Sequence, residues 1–430
     1  MSIPNSVVVH LTEKLTPYFG QPLWVAFSGG LDSTVLCHAI ARLSEHHQLN
    51  ITLLHINHQL HQDADQWARQ CERVAQQYNL AFECVTLDGQ PRGASIENWA
   101  RQQRRQIFAN KLAQGGAVIT AHHQDDQAET LLFRLLRGTG PDGLAAMRMC
   151  SPLSKGQIIR PFLSISRQAL TAYAQAHQLT WIEDPSNQNM AFTRNYLRHK
   201  IMPVLQQQWP KVEQALSRCA DLCAEQRDVL ESYLDQELQI IQQGRPADQL
   251  PLMLWQALPE PKQRMVLRYW IYQQTGFYLT HKQLQQLIKD VIYAQEDAEP
   301  LYQMGEIQCR RYQRTLYLVS PLVAIDPSWS QSWDGHQPLT VPGWSQPLTK
   351  AILQQQGIAC DAVDWGKVMV RFRQLGERVR IKGHAQTHVL KKILQAQHVP
   401  PWLRNRVPLV FEGDVLLSIS LIGKHPKVLY

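Results

Sequence analysis

The sequence has no apolar run of the roughly 18 residues that a membrane-crossing helix needs, so no bilayer span is expected. Its first stretch, MSIPNSVVVHLTEKL, has no basic start, no long apolar core and no small-residue cleavage site, so a secretory leader is not expected either. Cysteine is sparse. Eight residues are scattered along 430 positions with no Cys-x-x-Cys pair, which argues against a disulfide framework, a zinc knuckle or a cysteine-held cluster. Together these absences fit a reducing, cytoplasmic setting. Cys219 and Cys223 lie four apart in a helical pattern and are expected as core positions. No internal repeat and no low-complexity tract is present. What remains, 44% hydrophobic and 18% charged residues, is ordinary for a globular protein, and the length calls for two or three domains.

Excess positive charge is missing from most of the chain. Residues 331–430 hold 13 Lys+Arg against 6 Asp+Glu, which accounts for the whole net charge of +7. The first 330 residues are balanced. A basic end of this kind suits a polyanionic partner, although a solvated basic surface would look the same.

Up to about Asn187 the pattern alternates between strand and helix. Apolar runs at Leu23–Phe27, Ile51–Ile56, Phe82–Leu87 and Ala117–Ala121 read as strands. Helical spacing follows them at Asp32–Leu43, Asp63–Tyr78, Ser95–Leu112 (with Ser95 as cap) and Asp125–Leu136. A further helix is expected at Ser166–His177, leading to a short strand at Thr180–Ile182. Repeated strand–helix units imply a parallel sheet covered on both faces. After Pro203 the pattern turns helical, at Val212–Gln242 and 252–295. Residues 321–349 are rich in Pro, Ser and Trp and read as a linker or an irregular domain entry. The last 80 residues mix strands with one basic helix, Thr387–Gln397.

Two stretches carry chemistry. In WVAFSGGLDSTVL, a strand runs through Ser28-Gly29-Gly30-Leu31-Asp32-Ser33 into a helix. Glycines permit close backbone approach, and the unpaired N–H groups of a helix start favour an anion such as phosphate. Ser28, Ser33 and Thr34 add hydroxyl donors. The lysine of a Walker A loop is missing. Asp32 is left with two readings, as a metal ligand or as a capping residue of the helix. The second stretch, HHQDDQAET, follows the strand AVITA, so it sits where open α/β sheets bind ligands. Asp125 and Asp126 each share a helix face with Glu129, at spacings of four and three. Carboxylates beside a phosphate site require Mg²⁺, an arginine or a cationic substrate for balance. Capping of the helix could explain Asp125 and Asp126, but not Glu129. His55, His58 and His61 (HINHQLH) are spaced poorly for one metal and are read as a nucleotide-side loop.

SGGLDS resembles the PP-loop signature of the ATP pyrophosphatase superfamily. HHQDDQAET, LLRGTGPDGLAAM, RPFLSISR, WIEDPSNQN-x4-RNYLRHKIMPVL (181–205) and GERVRIKGHAQTHVLKKILQAQHVPPWLRNRVPLVFEGDVLLSI (376–419) narrow the resemblance to the tRNA(Ile)-lysidine synthetases. It implies an α/β protein: a Rossmann-like, parallel-sheet PP-loop catalytic domain (1–213), a helical middle domain (214–320), and a linker with a small, basic α+β C-terminal domain (321–430). It also implies an AMP-forming carbon–nitrogen ligase that joins L-lysine to C2 of the wobble cytidine in the CAU anticodon of an isoleucine tRNA. Decoding then changes from AUG to AUA. ATP would first adenylate the O2 of the base, and the lysine amine would then displace AMP. The ligands implied are ATP, Mg²⁺, L-lysine and tRNA(Ile), and homodimers occur in the family.

By residue, the resemblance gives ATP binding to Ser28, Gly29, Gly30, Leu31, Asp32 and Ser33, with Mg²⁺ at Asp32 or Asp125. Asp32, Asp126 and Glu129 would serve lysine binding or catalysis. Arg104 and Arg194 would face phosphates or the intermediate; Arg105 stands where the family often has Tyr, which leaves Arg101, Arg104 and Arg105 as competitors. Lys391, Lys392, Arg404 and Arg406, beside Trp402, suit tRNA backbone contact. Two rivals remain: another PP-loop tRNA modifier such as a thiolase, which would need reactive or cluster-binding cysteines, and a non-catalytic RNA-binding protein, which would have lost loop glycines or acids.

Overall fold

The computed structural model describes residues 3–89, 96–295, 298–344, 346–374, 376–381 and 386–419. The chain divides into two compact units, Met1–Leu230 and Glu231–Tyr430.

The first unit is a six-stranded sheet with helices on both faces. Its elements run α1 (Ile3–Leu15), β1 (Pro22–Ala26), α2 (Leu31–Ser44), β2 (Asn50–Asn57), α3 (Ala64–Gln77), β3 (Ala81–Thr86), α4 (Ile96–Lys111), β4 (Ala117–Ile119), α5 (Gln124–Leu136), α6 (Pro141–Leu144), β5 (Cys150–Leu153), β6 (Gly156–Ile159) and α7 (Arg167–Ala176). Short helices α8 (Thr193–Tyr196) and α9 (Met202–Gln208) lead to the long α10 (Val212–Gln242). Strand order is β3-β2-β1-β4-β6-β5, parallel except for β5 at the edge. The expected strand–helix units are all present. The cap expected at Ser95 lies outside the described residues.

Strand residues point alternately to two cores, as a sheet buried on both faces requires. Leu23, Val25 and Phe27 pack with Leu11, Leu36, Ile40, Leu170 and Tyr173 from α1, α2 and α7. Leu54, Val118 and Ile158 pack the other face against Ile107, Phe108 and Leu112. Burying one such side chain is worth roughly 1.5–3 kcal/mol, so the sheet is a rigid platform for the loops at its strand ends.

Three expectations are corrected here. Thr180–Ile182 is not a strand. Its Ile182 amide donates instead to the Gly29 carbonyl (2.9 Å), so the segment braces the loop after β1 rather than extending the sheet. The β5–β6 hairpin was not expected, because Pro152 and the Ser154-Lys155 turn break up its apolar alternation. Cys219 and Cys223 are not core residues: Cys219 is exposed and Cys223 half-buried. The stripe that α10 buries runs instead through Val212, Ala220, Leu234, Leu238 and Ile241.

The second unit holds two sheets. Helices α11 (Leu252–Gln256), α12 (Glu260–Thr275) and α13 (His281–Leu287) occupy the expected helical stretch. They are joined by a four-stranded antiparallel sheet that the periodicity did not reveal. It is built from β7 (Gln249–Pro251), β8 (Leu301–Met304), β9 (Ile307–Tyr312) and β10 (Thr315–Val319), in the order β7-β10-β9-β8. The last part contains β11 (Ser330–Ser332), α14 (Lys350–Gln355), β12 (Val368–Arg371), β13 (Arg378–Ile381), β14 (Thr387–Val389), α15 (Leu390–Ala396), β15 (Leu409–Glu412) and β16 (Val415–Ile419). Its six strands form a mixed sheet.

Residues 321–349 are irregular but not a free linker. Trp333, Leu339, Val341, Trp344 and Leu348 are buried in the core of this last sheet, and the Trp344 indole donates to the Arg406 carbonyl (2.7 Å). Emptying a buried indole site costs about 3–5 kcal/mol. Trp344→Ala should therefore lower the stability of the second unit by about that amount in urea unfolding followed by circular dichroism. An unchanged midpoint would mean the segment is a dispensable linker.

Candidate active site

The loop after β1 is shaped by one glycine. Gly29 has φ +82°, and a Cβ there would lie 2.5 Å from Ile182 Cδ1 and 2.9 Å from Cys71 Sγ. No other residue fits both the conformation and the space. Gly30 caps α2 in an extended conformation without a side-chain bond, so the first amides of α2 have no side-chain capping partner. The hydroxyls of Ser28 and Ser33 are 3.0 Å apart, and the Thr34 hydroxyl donates to the Gly29 carbonyl (3.2 Å). Local bonds thus hold the loop open.

Asp32 does not cap this helix. Its Oδ2 faces His123 Nε2 at 3.6 Å, and its Oδ1 is buried with no partner among the described residues. An orphaned carboxylate oxygen beside a phosphate-sized anion site fits a divalent cation.

The second stretch starts α5. Sheet order reverses between β1 and β4, and this topological switch point brings HHQDDQAET to the loop after β1. His123 caps α5. Its Nδ1 accepts from the Asp126 amide (3.4 Å), while its own amide donates to Asp126 Oδ2 (3.1 Å). This geometry assigns the ring proton to Nε2, between Asp32 and Asp126 Oδ2 (3.3 Å). Burial alone would lower the His123 pKa. The bond to Asp32 and the charges of Asp126, Asp32 and Asp125 outweigh it and hold it above the usual value. Asp125 Oδ1 lies 3.7 Å from His123 Nδ1 and accepts the Arg167 amide at the start of α7 (2.9 Å). Of the two acids considered for a metal, Asp32 therefore fits and Asp125 serves the next helix.

Asp126 and Glu129 meet on one guanidinium. Arg198 Nε donates to Glu129 Oε1 (2.7 Å), and Nη2 donates to Glu129 Oε2 (2.9 Å) and Asp126 Oδ1 (3.0 Å). Glu129 is buried. The environments split the two acids. Burial pushes Asp126 up, but His123, His122 and Arg198 pull it further down, below the usual carboxylate range. Burial raises Glu129, and Arg198 only partly offsets this. One carboxylate is thus kept as an anion and the other made the better base.

The expected arginines gather on the other side. Arg194 reaches the Thr130 hydroxyl (3.5 Å). Burial lowers His122 to about 4. Asp126 opposes this, and the Arg160, Arg104 and Arg194 guanidiniums reinforce it. Arg104 also faces His58, whose pKa is about 4, first through burial and then through that charge. The three histidines of HINHQLH diverge. His55 Nδ1 bonds the Phe27 carbonyl (2.9 Å), His58 lies edge-on to Trp99 and His61 stacks on Trp67.

In the second unit, Lys391 and Lys392 are exposed on α15. Arg404 does not fit the expected surface role. It is buried, with Nε donating to the Val399 carbonyl (3.0 Å) and Nη2 to the Tyr312 hydroxyl (3.2 Å). Arg406 is half-buried and donates to the Val323 carbonyl. Trp402 stands nearby, against Tyr312 and Tyr317.

Residues 5–205 match the PP-loop domain model, residues 250–317 the TilS substrate binding domain and residues 368–428 the TilS substrate C-terminal domain. The chain is 41% identical to the tRNA(Ile)-lysidine synthase of Coxiella burnetii, over 92% of this chain and 87% of that one. It is 40% identical to that of Serratia proteamaculans (98% and 97%) and 39% identical to that of Edwardsiella ictaluri (95% and 92%). The chain belongs to the tRNA(Ile)-lysidine synthase family.

For a tRNA(Ile)-lysidine synthase, two groups in the cluster went unnoticed in sequence. Arg198 lies four residues after Arg194 in RNYLRHK, a spacing that would have set both on one helix face. His123 stands directly before Gln-Asp-Asp, where a histidine can cap the helix and face both acids. Gly29→Ala tests the loop itself. It should weaken ATP binding at least tenfold in equilibrium dialysis, about 1.4 kcal/mol or more, with the circular dichroism spectrum retained. Wild-type affinity would show that the close approach to Ile182 is not needed.

Proposed function

We propose that the PP loop and the Asp126–Glu129 pair divide the two substrates of one ligation between them. The enzyme joins L-lysine to C2 of the wobble cytidine of the CAU-anticodon isoleucine tRNA, forming lysidine, AMP and pyrophosphate. Ser28, Gly29, Gly30, Leu31, Asp32 and Ser33 hold the phosphates of ATP at the start of α2. Mg²⁺ carried with ATP would be held by Asp32 and would offset phosphate charge. Arg104 and Arg194 face the nucleotide and the adenylated base.

The chemistry has two steps. The O2 of cytosine attacks the α-phosphorus, and pyrophosphate leaves. The ε-amine of lysine then attacks C2, and AMP leaves with the O2 oxygen. Adenylation is needed because that oxygen is otherwise a poor leaving group. The amine must first lose a proton, since its free pKa is about 10.4. Asp126, held as an anion, positions the ammonium, and Glu129, the stronger base of the pair, accepts the proton. One observation carries this reading: the pair already binds an organic cation, the Arg198 guanidinium, beside a phosphate loop.

Lys391 and Lys392 on α15 contact the tRNA backbone. No helix among the described residues is long and apolar enough to cross a membrane, and with ATP and tRNA as substrates we place the enzyme in the cytoplasm.

Incubated with ATP, labelled lysine and bulk tRNA, the protein should release one AMP for each lysine incorporated; ADP, or unlabelled tRNA, would sink the reading. Asp126→Asn should raise the KM for lysine at least tenfold while leaving lysine-independent pyrophosphate release intact. An effect confined to ATP would move Asp126 to the metal. Replacing Lys391 and Lys392 by Ala should weaken tRNA binding and reduce its salt slope by about 2, with the KM for ATP unchanged. An unaltered slope would place the tRNA elsewhere.

A further inference from the structure

The Asp126–Glu129 pair is not open to a second cation. Both oxygens of Glu129 accept from Arg198, and so does Asp126 Oδ1. The remaining oxygen, Asp126 Oδ2, is taken by the amide and ring of His123. The Glu129 side chain is 6% exposed, against 28% for Arg198 and 19% for Asp126, so solvent reaches the guanidinium before it reaches Glu129. While Arg198 stays in place, an ammonium group finds every oxygen of the pair already accepting a bond and meets the like charge of the guanidinium.

We propose that Arg198 is an internal stand-in for the lysine side chain: it occupies the substrate's carboxylates in the lysine-free enzyme and must be displaced for lysine to bind. The inference rests on the reading of Asp126 and Glu129 as the lysine site. Arg198 is a positioning residue, acting through that pair.

Its surroundings suit a group that leaves. Arg198 lies on a π-helical turn, Leu197–Ile201, inserted between α8 and α9. Such turns lack the regular bonds of an α-helix and recur at functional sites. Asp32 is its next anionic neighbour, so the displaced guanidinium stays within range of the phosphate loop.

Three effects follow. Lysine exchanges one cation for another, so its apparent affinity is lower than the bare pair would give. An amine that cannot span both carboxylates cannot displace a three-bond fork, so Arg198 selects for reach. Its departure also frees the Glu129 oxygens, so the base can reach a substrate proton only once Arg198 has left.

The test is lysine binding to the full-length enzyme by calorimetry at pH 8. Arg198→Ala should bind lysine about tenfold tighter than wild type, and should bind ornithine and methylguanidinium that the wild type rejects. Arg198→Lys, which cannot fork, should tighten lysine binding less. If Arg198→Ala fails to fold, judged by circular dichroism and urea unfolding, Arg198→Lys decides. Unchanged or weaker lysine binding in a folded variant overturns the proposal. Asp126→Asn is measured in parallel. Unaltered lysine binding there would overturn the lysine site itself; weakened binding there, without tightening at Arg198, would overturn the stand-in alone.

Discussion

Buried negative charge beside a phosphate site is the constraint on which the catalytic unit depends. Asp32, Asp126 and Glu129 converge where the sheet order reverses, next to amides that await an anion. A carboxylate and a phosphate oxygen about 4 Å apart repel by about 4 kcal/mol at the effective dielectric of a protein surface. Three such acids would drive ATP out unless each were compensated. His123 serves Asp32 and Asp126, and Arg198 serves Asp126 and Glu129. Because His123 and Arg198 both bond Asp126, the cluster is a single unit.

The scaffold sets how closely these groups can approach. Gly29 lets the loop press against Ile182, so the segment after α7 acts as a clamp and not as a seventh strand. The same clamp leads through 183–192 into the helix that carries Arg194 and Arg198. Loop shape and cation placement are therefore set by one continuous stretch. Asp125 ties that stretch back to α5 by holding the first amide of α7. Asp125, one of the two acids considered for Mg²⁺, is thus a strut between α5 and α7.

Much of this was legible in the sequence. The alternation of apolar runs and amphipathic helices sufficed for the parallel sheet, because strands buried on both faces read as continuous apolar runs. Asp126 and Glu129 were legible because helical spacing alone sets them on one face. Arg198 was not, since its partners are 69 and 72 positions away and only the clamp after α7 brings them together. Arg404 misled for the opposite reason. A basic residue beside tryptophan looks solvated in sequence, yet its guanidinium bonds a carbonyl and a tyrosine inside the fold. The four-stranded sheet of the second unit escaped notice because its strands are short and β9 carries two adjacent arginines, Arg310 and Arg311.

Compensation by groups of the chain itself also bears on the order of events. In the reaction proposed above, adenylation needs ATP and the base but not lysine, so the loop must tolerate ATP while the carboxylates proposed for lysine are without substrate. Bare, they would be two more negative charges near a highly charged nucleotide. With Arg198 in place the pair and its guanidinium sum to −1, and the His123 Nε2–H lies between Asp32 and Asp126. Lysine then enters as a cation in exchange for a cation, so the charge of the cluster does not change at the moment the adenylated base is present. An acidic pocket compensated from within can thus bind an amine second without repelling the nucleotide first.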